Sequence, residues 1–297
     1  METHEMNNPR RHHYVPQFHQ RRFADANGRF WIWDKIADRV FPSAPGSIAV
    51  ETDFYGLHEF EKLGHDPFTM EKQLSDMEGQ MCLITDQWLN WLREIEPGEK
   101  IPIPKPNREI VSRFMAVQFL RTVDTREILC SMHDEKYPDK PLSAEGRANL
   151  HTELVWDIDS VQKIARHIED AIWVFARNQT STPFVTSDNP VAFRTKDNAI
   201  WLKVGFLTEG TYAVYPLSPE IVMFCHEGEY WKVVEKLDRC LSPFPLTDEM
   251  VESENSGQVL MASRFVISSI NNFESLREFA KTIGTDTYAR RDEKSED

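Results

Sequence analysis

The chain has 297 residues, of which 40% are hydrophobic and 28% charged, a composition typical of a globular protein with a substantial core. Because 48 acidic residues against 34 basic ones give a formal net charge of −14, overall charge cannot attract nucleic acid, and only a local basic patch could do so. The four cysteines lie far apart without C-x-x-C spacing, which argues against zinc ribbons and disulfide scaffolds.

The sequence shows no segment typical of membrane insertion or secretion. No apolar run approaches the ~18 residues of a membrane-spanning helix, and residues 1–9 are polar, unlike a secretory signal. With the cysteine pattern, this favours a cytoplasmic protein without a membrane partner. We expect a flexible N-terminus over residues 1–9, a single domain over residues 10–285 and a disordered, charged tail over residues 286–297.

The first distinctive segment runs from Arg10 to Phe23 and holds three histidines, four arginines and three aromatic residues. Pro16 suits the first turn of a helix and keeps the preceding residue out of the helical region, so we predict a short helix over residues 16–23. His12 and His13 then lie in extended chain and point to opposite sides. One imidazole can therefore line a site, as a metal ligand or general base, while the other packs behind it.

Arg21 and Arg22 add two guanidinium groups to the same short helix. Guanidinium groups and helix N-termini both attract anions, and phosphate is the obvious one. Arginine-rich segments near a terminus are also common as docking helices with a solvated basic face. The residues alone therefore leave a purely structural role open.

The rest of the first half reads as a hairpin followed by long helices. Residues 29–34 alternate in the manner of a strand, and residues 39–41 form its hairpin partner. Apolar residues then recur every three or four positions, which predicts helices over residues 67–95, 107–130 and 143–170.

The second half changes to short β-rich runs separated by turn residues. The predicted elements are strands over residues 171–176, 183–186, 212–215 and 221–225, a helix over 247–261, a strand over 264–268 and a closing helix over 273–283. We therefore predict an α+β fold, in which long helices of the N-terminal half pack on a mixed or antiparallel sheet formed mainly by the C-terminal half.

Two acidic residues flank the apolar stripe of the first long helix. Glu71 and Glu78 lie two turns apart, so both carboxylates can face one site. Glu78 is a candidate metal ligand. Charged flanks of a buried helix are the commoner explanation of such a pair.

A polar row lies beside the apolar face of the second long helix. Gln118, Arg121, Thr122 and Thr125 follow helical spacing, which points the row toward a pocket. We assign phosphate binding to Arg121 and a catalytic contact to Gln118. The alternative is that Arg121 pairs with a carboxylate of the preceding helix.

The run Thr186-Ser187-Asp188-Asn189-Pro190 directly follows a predicted strand. Because Asn189 precedes a proline, the chain turns sharply there and would hold Asp188 rigidly. Asp188 is the best candidate for a metal-binding carboxylate or a general acid or base, and Asn189 and Asn255 are candidate substrate contacts. The same residue types also favour a tight turn by bonding to their own backbone, and such a turn needs no function.

The opening segment resembles the start of a bacterial family known as domain of unknown function 4238, through His12-His13-Tyr14-Val15-Pro16-x-Phe18-x-x-Arg21-Arg22-Phe23. Further motifs similar to that family follow in the same order: Glu51-x-x-Phe54-Tyr55, Gln118-x-x-Arg121-Thr122, Thr186-Ser187-Asp188-Asn189-Pro190, Tyr215-Pro216-Leu217-Ser218-Pro219, and Asn255 ahead of Arg264-Phe265-Val266. The resemblance covers most of the chain. It implies a shared fold and shared site residues, while the family's name leaves the activity unassigned.

Imidazole, carboxylate, amide and guanidinium groups together suit phosphoester chemistry on a nucleotide or nucleic acid. Our leading hypothesis is a metal-assisted phosphodiesterase or nuclease, with Mg²⁺ or Mn²⁺ held by Asp188, His13 and Glu78. By role, the candidates are the catalytic contacts His12, His13, Asp188 and Gln118, the phosphate contacts Arg21, Arg22 and Arg121, and the substrate contacts Asn189 and Asn255.

Two other classes of function stay open, so the residues do not decide whether the protein is an enzyme. One is a metal-independent hydrolase of a nucleotide such as a dinucleotide cofactor, and the other is a non-catalytic protein that senses a nucleotide or binds a partner. The sequence contains no P-loop, G-x-G-x-x-G or G-x-S-x-G motif and no known nuclease motif. A role in bacterial antiviral defence is suggested only by the kind of family that the sequence resembles.

Overall fold

The structure, a computed structural model, describes most of the chain. The described residues are 11–52, 54–55, 64, 69–96, 98–198, 201–203 and 209–283. Outside them lie Arg10, the predicted flexible start over residues 1–9, the predicted tail over residues 286–297 and residues 67–68 of the first predicted long helix.

Helices dominate the N-terminal half and strands the C-terminal half, as the sequence predicts. Within the described residues the helices are α1 (Gln17–Arg22), α2 (Thr69–Glu94), α3 (Lys105–Leu120), α4 (Val123–Lys136), α5 (Ala144–Trp156), α6 (Ile158–Asp170), a 3₁₀ helix (Lys232–Leu237), α7 (Asp248–Met261) and α8 (Glu274–Ile283). The strands are β1 (Arg11–His13), β2 (Phe30–Asp34), β3 (Arg39–Ser43), β4 (Val50–Thr52), β5 (Ile101–Pro102), β6 (Ile172–Arg177), β7 (Thr186–Ser187), β8 (Ala192–Arg194), β9 (Trp201–Leu202), β10 (Tyr212–Pro216), β11 (Ile221–His226), β12 (Cys240–Leu241), β13 (Phe244–Pro245) and β14 (Phe265–Ser268). The predicted α+β class is confirmed.

The helix predicted over residues 107–130 is in fact two helices, α3 and α4. The chain leaves helical geometry at Thr122, whose hydroxyl oxygen accepts the backbone N–H of Thr125 at 3.3 Å and caps α4. Arg121 becomes the C-cap of α3, so the predicted polar row is not one continuous helical row. The apolar spacing continues across the break between α3 and α4. In the sequence, the capping residue Thr122 marks the position of this break.

The helix predicted over residues 143–170 is also divided, into α5 and α6. The two meet at Asp157, whose carboxylate accepts the backbone N–H groups of Asp159 and Ser160 at 3.3 Å each. An aspartate that bonds to nearby amides favours a new helix start over continuation of the old one.

The larger sheet has six strands in the order β13-β6-β11-β10-β8-β9. Neighbouring strands are antiparallel except β13 and β6, which are parallel. Side chains alternate between the two faces, so that Trp173 and Phe175 of β6 face one core and Val174 faces another. Because both faces are covered, β6, β10 and β11 read as continuous apolar runs.

Helices lie on both faces of the larger sheet. Trp88 of α2 packs edge-on against Trp173 and Phe175, with ring centroids 6.1 and 5.8 Å apart. On the opposite face, α7 contributes Val251 and Met261 to the second core. Among the described residues, no helix combines the length and apolar character needed to cross a bilayer.

The smaller sheet, in the order β3-β2-β14-β7, joins the predicted N-terminal hairpin to the C-terminal strand. Of the strand predicted over residues 183–186, only Thr186 pairs in this sheet, together with Ser187. The opening segment enters as β1, which pairs with β4 so that His12 lies opposite Glu51. Helix α1 then packs where α2 and the two sheets meet, and this position brings the candidate residues together.

Candidate functional site

His12 is buried beneath the aromatic rings that follow β4. Its imidazole stacks on Tyr55 with ring centroids 5.6 Å apart, and its Nδ1 accepts the backbone N–H of Tyr55 at 3.1 Å. This hydrogen bond requires Nδ1 to be unprotonated. The candidate catalytic residue His12 therefore holds the segment after β4 in place.

His13 points away from that core and is half-buried. Its Nε2 lies 3.2 Å from the carbonyl oxygen of Gly46 and 3.4 Å from the amide nitrogen of Gln17. The adjacent histidines thus have different surroundings, as extended chain predicts. His13, unlike His12, can be approached from solvent.

His19 is fully buried in α1, and the sequence predicts no site role for it. Its Nε2 lies 2.8 Å from the hydroxyl of Thr186, and its Nδ1 lies 3.1 Å from the hydroxyl of Tyr215. The ring also stacks on Tyr215 at a centroid distance of 5.1 Å. Burial, followed by the Arg22 and Arg121 cations, lowers the pKa of His19 to about 3. The ring is therefore neutral at pH 7 and ties α1 to both sheets.

Arg22 joins α1 to α2 through one edge of its guanidinium group. Nε and Nη2 donate to Oδ1 of Asp86 at 3.2 and 2.7 Å, and Nη2 also donates to the hydroxyl of Thr85. The other terminal nitrogen, Nη1, is buried and has no hydrogen-bond partner among the described residues. Because a buried N–H without an acceptor is unfavourable, this atom favours an added acceptor such as a phosphate oxygen.

Arg121 is fully buried at the end of α3. Its Nη1 donates to Oε1 of Glu78 at 2.7 Å, and its Nε and Nη2 donate to Oε1 of Gln118 at 3.0 and 2.7 Å. Gln118 in turn donates through Nε2 to the carbonyl oxygen of Tyr14 at 3.0 Å. The alternative considered from the sequence, a pair between Arg121 and a carboxylate of the preceding helix, is present.

Arg22 and Arg121 together set the electrostatics around His19 and Tyr215, and we call these four residues the His19 cluster. Burial raises the pKa of Tyr215, while both cations oppose that rise. Glu78 faces the cluster from α2 and is a quarter exposed, at 25%. A neutral imidazole, a phenol and two guanidinium groups suit an anionic ligand better than a cation.

Glu71 lies two turns before Glu78 and faces the same region, as predicted. Burial, and then the Glu78 charge, raises the pKa of Glu71. Both carboxylates also act on the buried phenol of Tyr55. The structure therefore places two acids beside Arg121, at one edge of the His19 cluster.

Asp188 holds the chain between α7 and β14. Its Oδ1 accepts the backbone N–H of Ser263 at 2.9 Å, and its Oδ2 accepts those of Arg264 and Phe265 at 2.8 and 3.0 Å. The carboxylate is nearly fully buried, and burial raises the pKa of Asp188 although the three N–H groups oppose the rise. A metal ion at Asp188 would have to compete with these hydrogen bonds.

Asn189 connects the same turn to α4. Its Nδ2 lies 3.4 Å from Oδ2 of Asp124, and Oδ1 of Asp124 pairs with Nζ of Lys203 at 3.0 Å. Oδ1 of Asn189 is buried and has no hydrogen-bond partner within the described part of the chain. The sequence gives little signal for this contact, because Asp124 falls inside the helix predicted over residues 107–130 and no pattern there links it to Asn189.

Asn255 is buried on α7 and bonds to the segment before β7. Its Oδ1 accepts the backbone N–H of Val185, and its Nδ2 donates to the carbonyl oxygen of Pro183, both at 2.9 Å. These are the partners that a buried mid-helix asparagine needs. Both the oxygen and the NH₂ group of Asn255 therefore hold α7 against residues 183–185.

The structure brings most candidates together as two neighbouring groups. One group surrounds His19 and contains Arg22, Gln118, Arg121 and Glu78. The other lies around β7 and contains Asp188 and Asn189, which follow the strand, and Asn255 of α7, which bonds to the segment before it. Thr186 lies between them, since it contacts His19 and belongs to β7. Arg21 stands apart, exposed on α1.

The side chains proposed as metal ligands do not meet. In the parts of the chain that the structure describes, no three histidine, cysteine or carboxylate side chains are arranged to hold a metal ion. Asp188 bonds to backbone amides, Glu78 pairs with Arg121, and His13 lies against Gly46. As they stand, these three side chains do not fit a metal centre.

Two of the clefts formed by the described residues are lined by none of the candidate residues. One, of about 610 Å³, lies between the β2–β3 hairpin and α8 and includes Trp33 and Phe273. The other, of about 540 Å³, lies among α2, α3, α5 and α6 and includes Met77 and Trp156.

Comparison with known proteins identifies a family for this chain. The family model described as "Protein of unknown function (DUF4238)" matches residues 11–272, a range that includes every candidate residue. No curated protein and no solved structure matches the chain. Because the matched range is most of the sequence, the chain belongs to the DUF4238 family.

Proposed function

We propose that the protein binds a phosphate-bearing ligand, a nucleic acid or a nucleotide, at Arg22 and hydrolyses a phosphodiester bond in it. The observation that carries the proposal is Nη1 of Arg22, a buried guanidinium nitrogen without an acceptor among the described residues. Arg121 lies in the same cluster and adds a second positive charge. Guanidinium groups recognise phosphate through paired N–H groups, so Arg22 is suited to this contact.

Asp86 supports the same interpretation, because a phosphate that bridges Nη1 and Nη2 of Arg22 would replace the bond between Nη2 and Asp86. The Asp86 side chain is 57% exposed, whereas that of Arg22 is 8% exposed. An exposed carboxylate contributes little to such a pair and can exchange for a phosphate group. Arg21, exposed on the same helix, is the second phosphate contact in this proposal.

The catalytic part of the proposal is metal-assisted hydrolysis with Mg²⁺ or Mn²⁺. Mg²⁺ commonly binds through one or two carboxylates together with substrate phosphates, so a complete protein ligand set is not required. Glu78, partly exposed at the edge of the His19 cluster, is the candidate carboxylate of this proposal. Because no ligand set is formed by the described residues, we assign no step of the reaction to the ion.

A non-catalytic nucleotide sensor is the second candidate function. It is favoured by the way Gln118, Asp188 and Asn255 use their hydrogen-bonding groups to hold the fold. A metal-independent hydrolase of a dinucleotide cofactor is the third. All three candidates share phosphate recognition at Arg22 and differ only in the fate of the bound ligand.

A turnover and binding screen tests these candidates together. The wild type, Arg22→Gln and the control Arg29→Gln would be assayed on single-stranded and duplex nucleic acids, nucleotides and a dinucleotide, with Mg²⁺, Mn²⁺ or EDTA. Arg29 is exposed, so its substitution changes the net charge equally without touching the cluster. Melting curves would confirm that each variant is folded.

The main proposal expects metal-dependent hydrolysis that Arg22→Gln abolishes and Arg29→Gln retains. Cleavage that persists in EDTA would replace it with the metal-independent hydrolase, and binding without turnover would replace it with the sensor. Absence of binding to any phosphate-bearing ligand would reject all three. A cytoplasmic location and a role in bacterial antiviral defence are further parts of the proposal, to be tested by fractionation and by phage plaque counts.

A further inference from the structure

Arg194 of β8 is the centre of a buried contact between the larger sheet and α7. Its Nη1 donates to Oε1 of Glu254 and its Nη2 to the hydroxyl of Ser253, both at 2.8 Å. Its Nε donates to the carbonyl oxygen of Asn198 at 3.0 Å. The side chains of Arg194 and Glu254 are only 9% and 12% exposed, so this is a buried ion pair.

Trp201 of β9 covers the Arg194 member of this pair. Its ring lies 4.6 Å from the guanidinium carbon of Arg194, and its Nε1 donates to the hydroxyl of Ser256 at 2.8 Å. The ring rests on Gly257, where an added Cβ would lie 2.5 Å from the indole. We call Arg194, Trp201, Glu254, Ser256 and Gly257 the Trp201 clasp.

The two carboxylate oxygens of Glu254 in the clasp have different surroundings. Its Oε1 bonds to Arg194, but its Oε2 is buried and has no hydrogen-bond partner in the described residues. Among the described residues, the charged and titratable groups that face it are Arg194 of β8 and the phenol of Tyr212 on β10. Burial outweighs the attraction of Arg194 and raises the pKa of Glu254 from 4.5 to about 7.

We propose that the Trp201 clasp is a pH-sensitive contact, closed when Glu254 is protonated and loosened when Glu254 is ionised. In the closed state an ionised Glu254 leaves one charged oxygen buried without a donor among the described residues. Separation of β9 from α7 would hydrate that oxygen, so ionisation favours the open state. Protonation removes this charge, while Arg194 keeps its hydrogen bonds to Oε1 of Glu254, to Ser253 and to the carbonyl oxygen of Asn198.

The sign of the pH dependence is set by the two states of Glu254. Its pKa is about 7 in the closed clasp and 4.5 when exposed, so the closed state binds the proton more tightly. The opening equilibrium therefore rises by up to about tenfold per pH unit between these values and levels off above them. The contribution of Glu254 to closure is complete below the lower value and lost above the higher one.

Opening of the clasp would also reach the second group of candidate residues. Lys203 follows Trp201 by two positions and pairs with Asp124, which in turn contacts Asn189. Movement of β9 would thus loosen the contacts around Asn189. The clasp does not depend on the proposed phosphate chemistry, and its test needs no substrate.

Hydrogen exchange of the wild-type protein from pH 5 to pH 8, corrected for the intrinsic pH dependence of exchange, tests the clasp. Peptides covering β8 and β9 should exchange faster as the pH rises toward 7 and then level off. Glu254→Gln should remove this dependence, because glutamine does not titrate. The control Glu252→Gln makes the same change at an exposed position on the same helix and should behave as wild type.

A second variant keeps the inference testable if Glu254→Gln does not fold. Ser256→Ala removes the acceptor of the Trp201 indole and should increase exchange at every pH without changing the slope. A wild-type protein with no slope in β8 and β9 would overturn the proposal. So would a Glu254→Gln variant with the wild-type slope, or a Ser256→Ala variant with unchanged exchange.

Discussion

Replacement of Asp188 by asparagine separates a structural role of this residue from a catalytic one. The carboxylate accepts three backbone N–H groups, from Ser263, Arg264 and Phe265. An asparagine can direct its single oxygen at Arg264 and Phe265, but its NH₂ group then faces the N–H of Ser263. One buried N–H loses its acceptor and two charge-assisted bonds become neutral, which together cost about 2–4 kcal/mol after the gain from removing a buried charge.

Urea unfolding followed by circular dichroism would measure this loss of stability. Asp25→Asn is the matched control, because Asp25 is exposed and accepts the backbone N–H groups of Asn27 and Arg29 in a surface turn, so this variant should stay close to wild type in stability. If Asp188→Asn is as stable as wild type or more stable, the structural account of Asp188 is wrong. That result would restore it as a functional acid, since removal of catalytic groups commonly relieves strain.

Two further substitutions test the His19 cluster by urea unfolding. His19→Phe leaves the hydroxyls of Thr186 and Tyr215 without their partner and should cost about 2–4 kcal/mol at pH 7. Because the pKa of His19 is lowered to about 3, the stabilisation by His19 is present above about pH 6.5 and is lost toward pH 3. The difference in unfolding free energy between His19→Phe and wild type should therefore narrow on acidification. A difference that stays constant with pH would contradict this. Glu78→Gln leaves the buried Arg121 cation without its carboxylate, and with Glu78 25% exposed the expected cost is about 1–3 kcal/mol; an unchanged unfolding midpoint would show that the pair is immaterial.

The fold class could be predicted because hydrophobic spacing reports burial directly. The continuous apolar runs of β11 and β2 both correspond to strands whose two faces pack in different cores. Hydrophobic spacing does not predict the helix breaks at Thr122 and Asp157. Apolar spacing continues across them, and a single capping side chain decided each break.

The candidate site could be predicted only as an inventory of residues. The opening segment does contact the regions of Gln118 and Thr186, but a motif does not state which polar atoms are already paired. The sequence predicts no role for His19, because its partners Thr186 and Tyr215 lie in two strands far away along the chain. No local sequence pattern predicts the ion pair between Lys203 and Asp124, because the two residues meet only after β9 has folded against α4.

The most direct test of the phosphate site is calorimetric titration of inorganic pyrophosphate into the wild type, Asp86→Asn and Arg22→Gln. If a phosphate that bridges Nη1 and Nη2 of Arg22 competes with Asp86 for Nη2, replacement of Asp86 should tighten binding by about two- to fivefold, as removal of an exposed ion pair allows. Arg22→Gln should abolish binding. Equal affinity in all three proteins, or weaker binding by Asp86→Asn, would contradict phosphate recognition at Arg22.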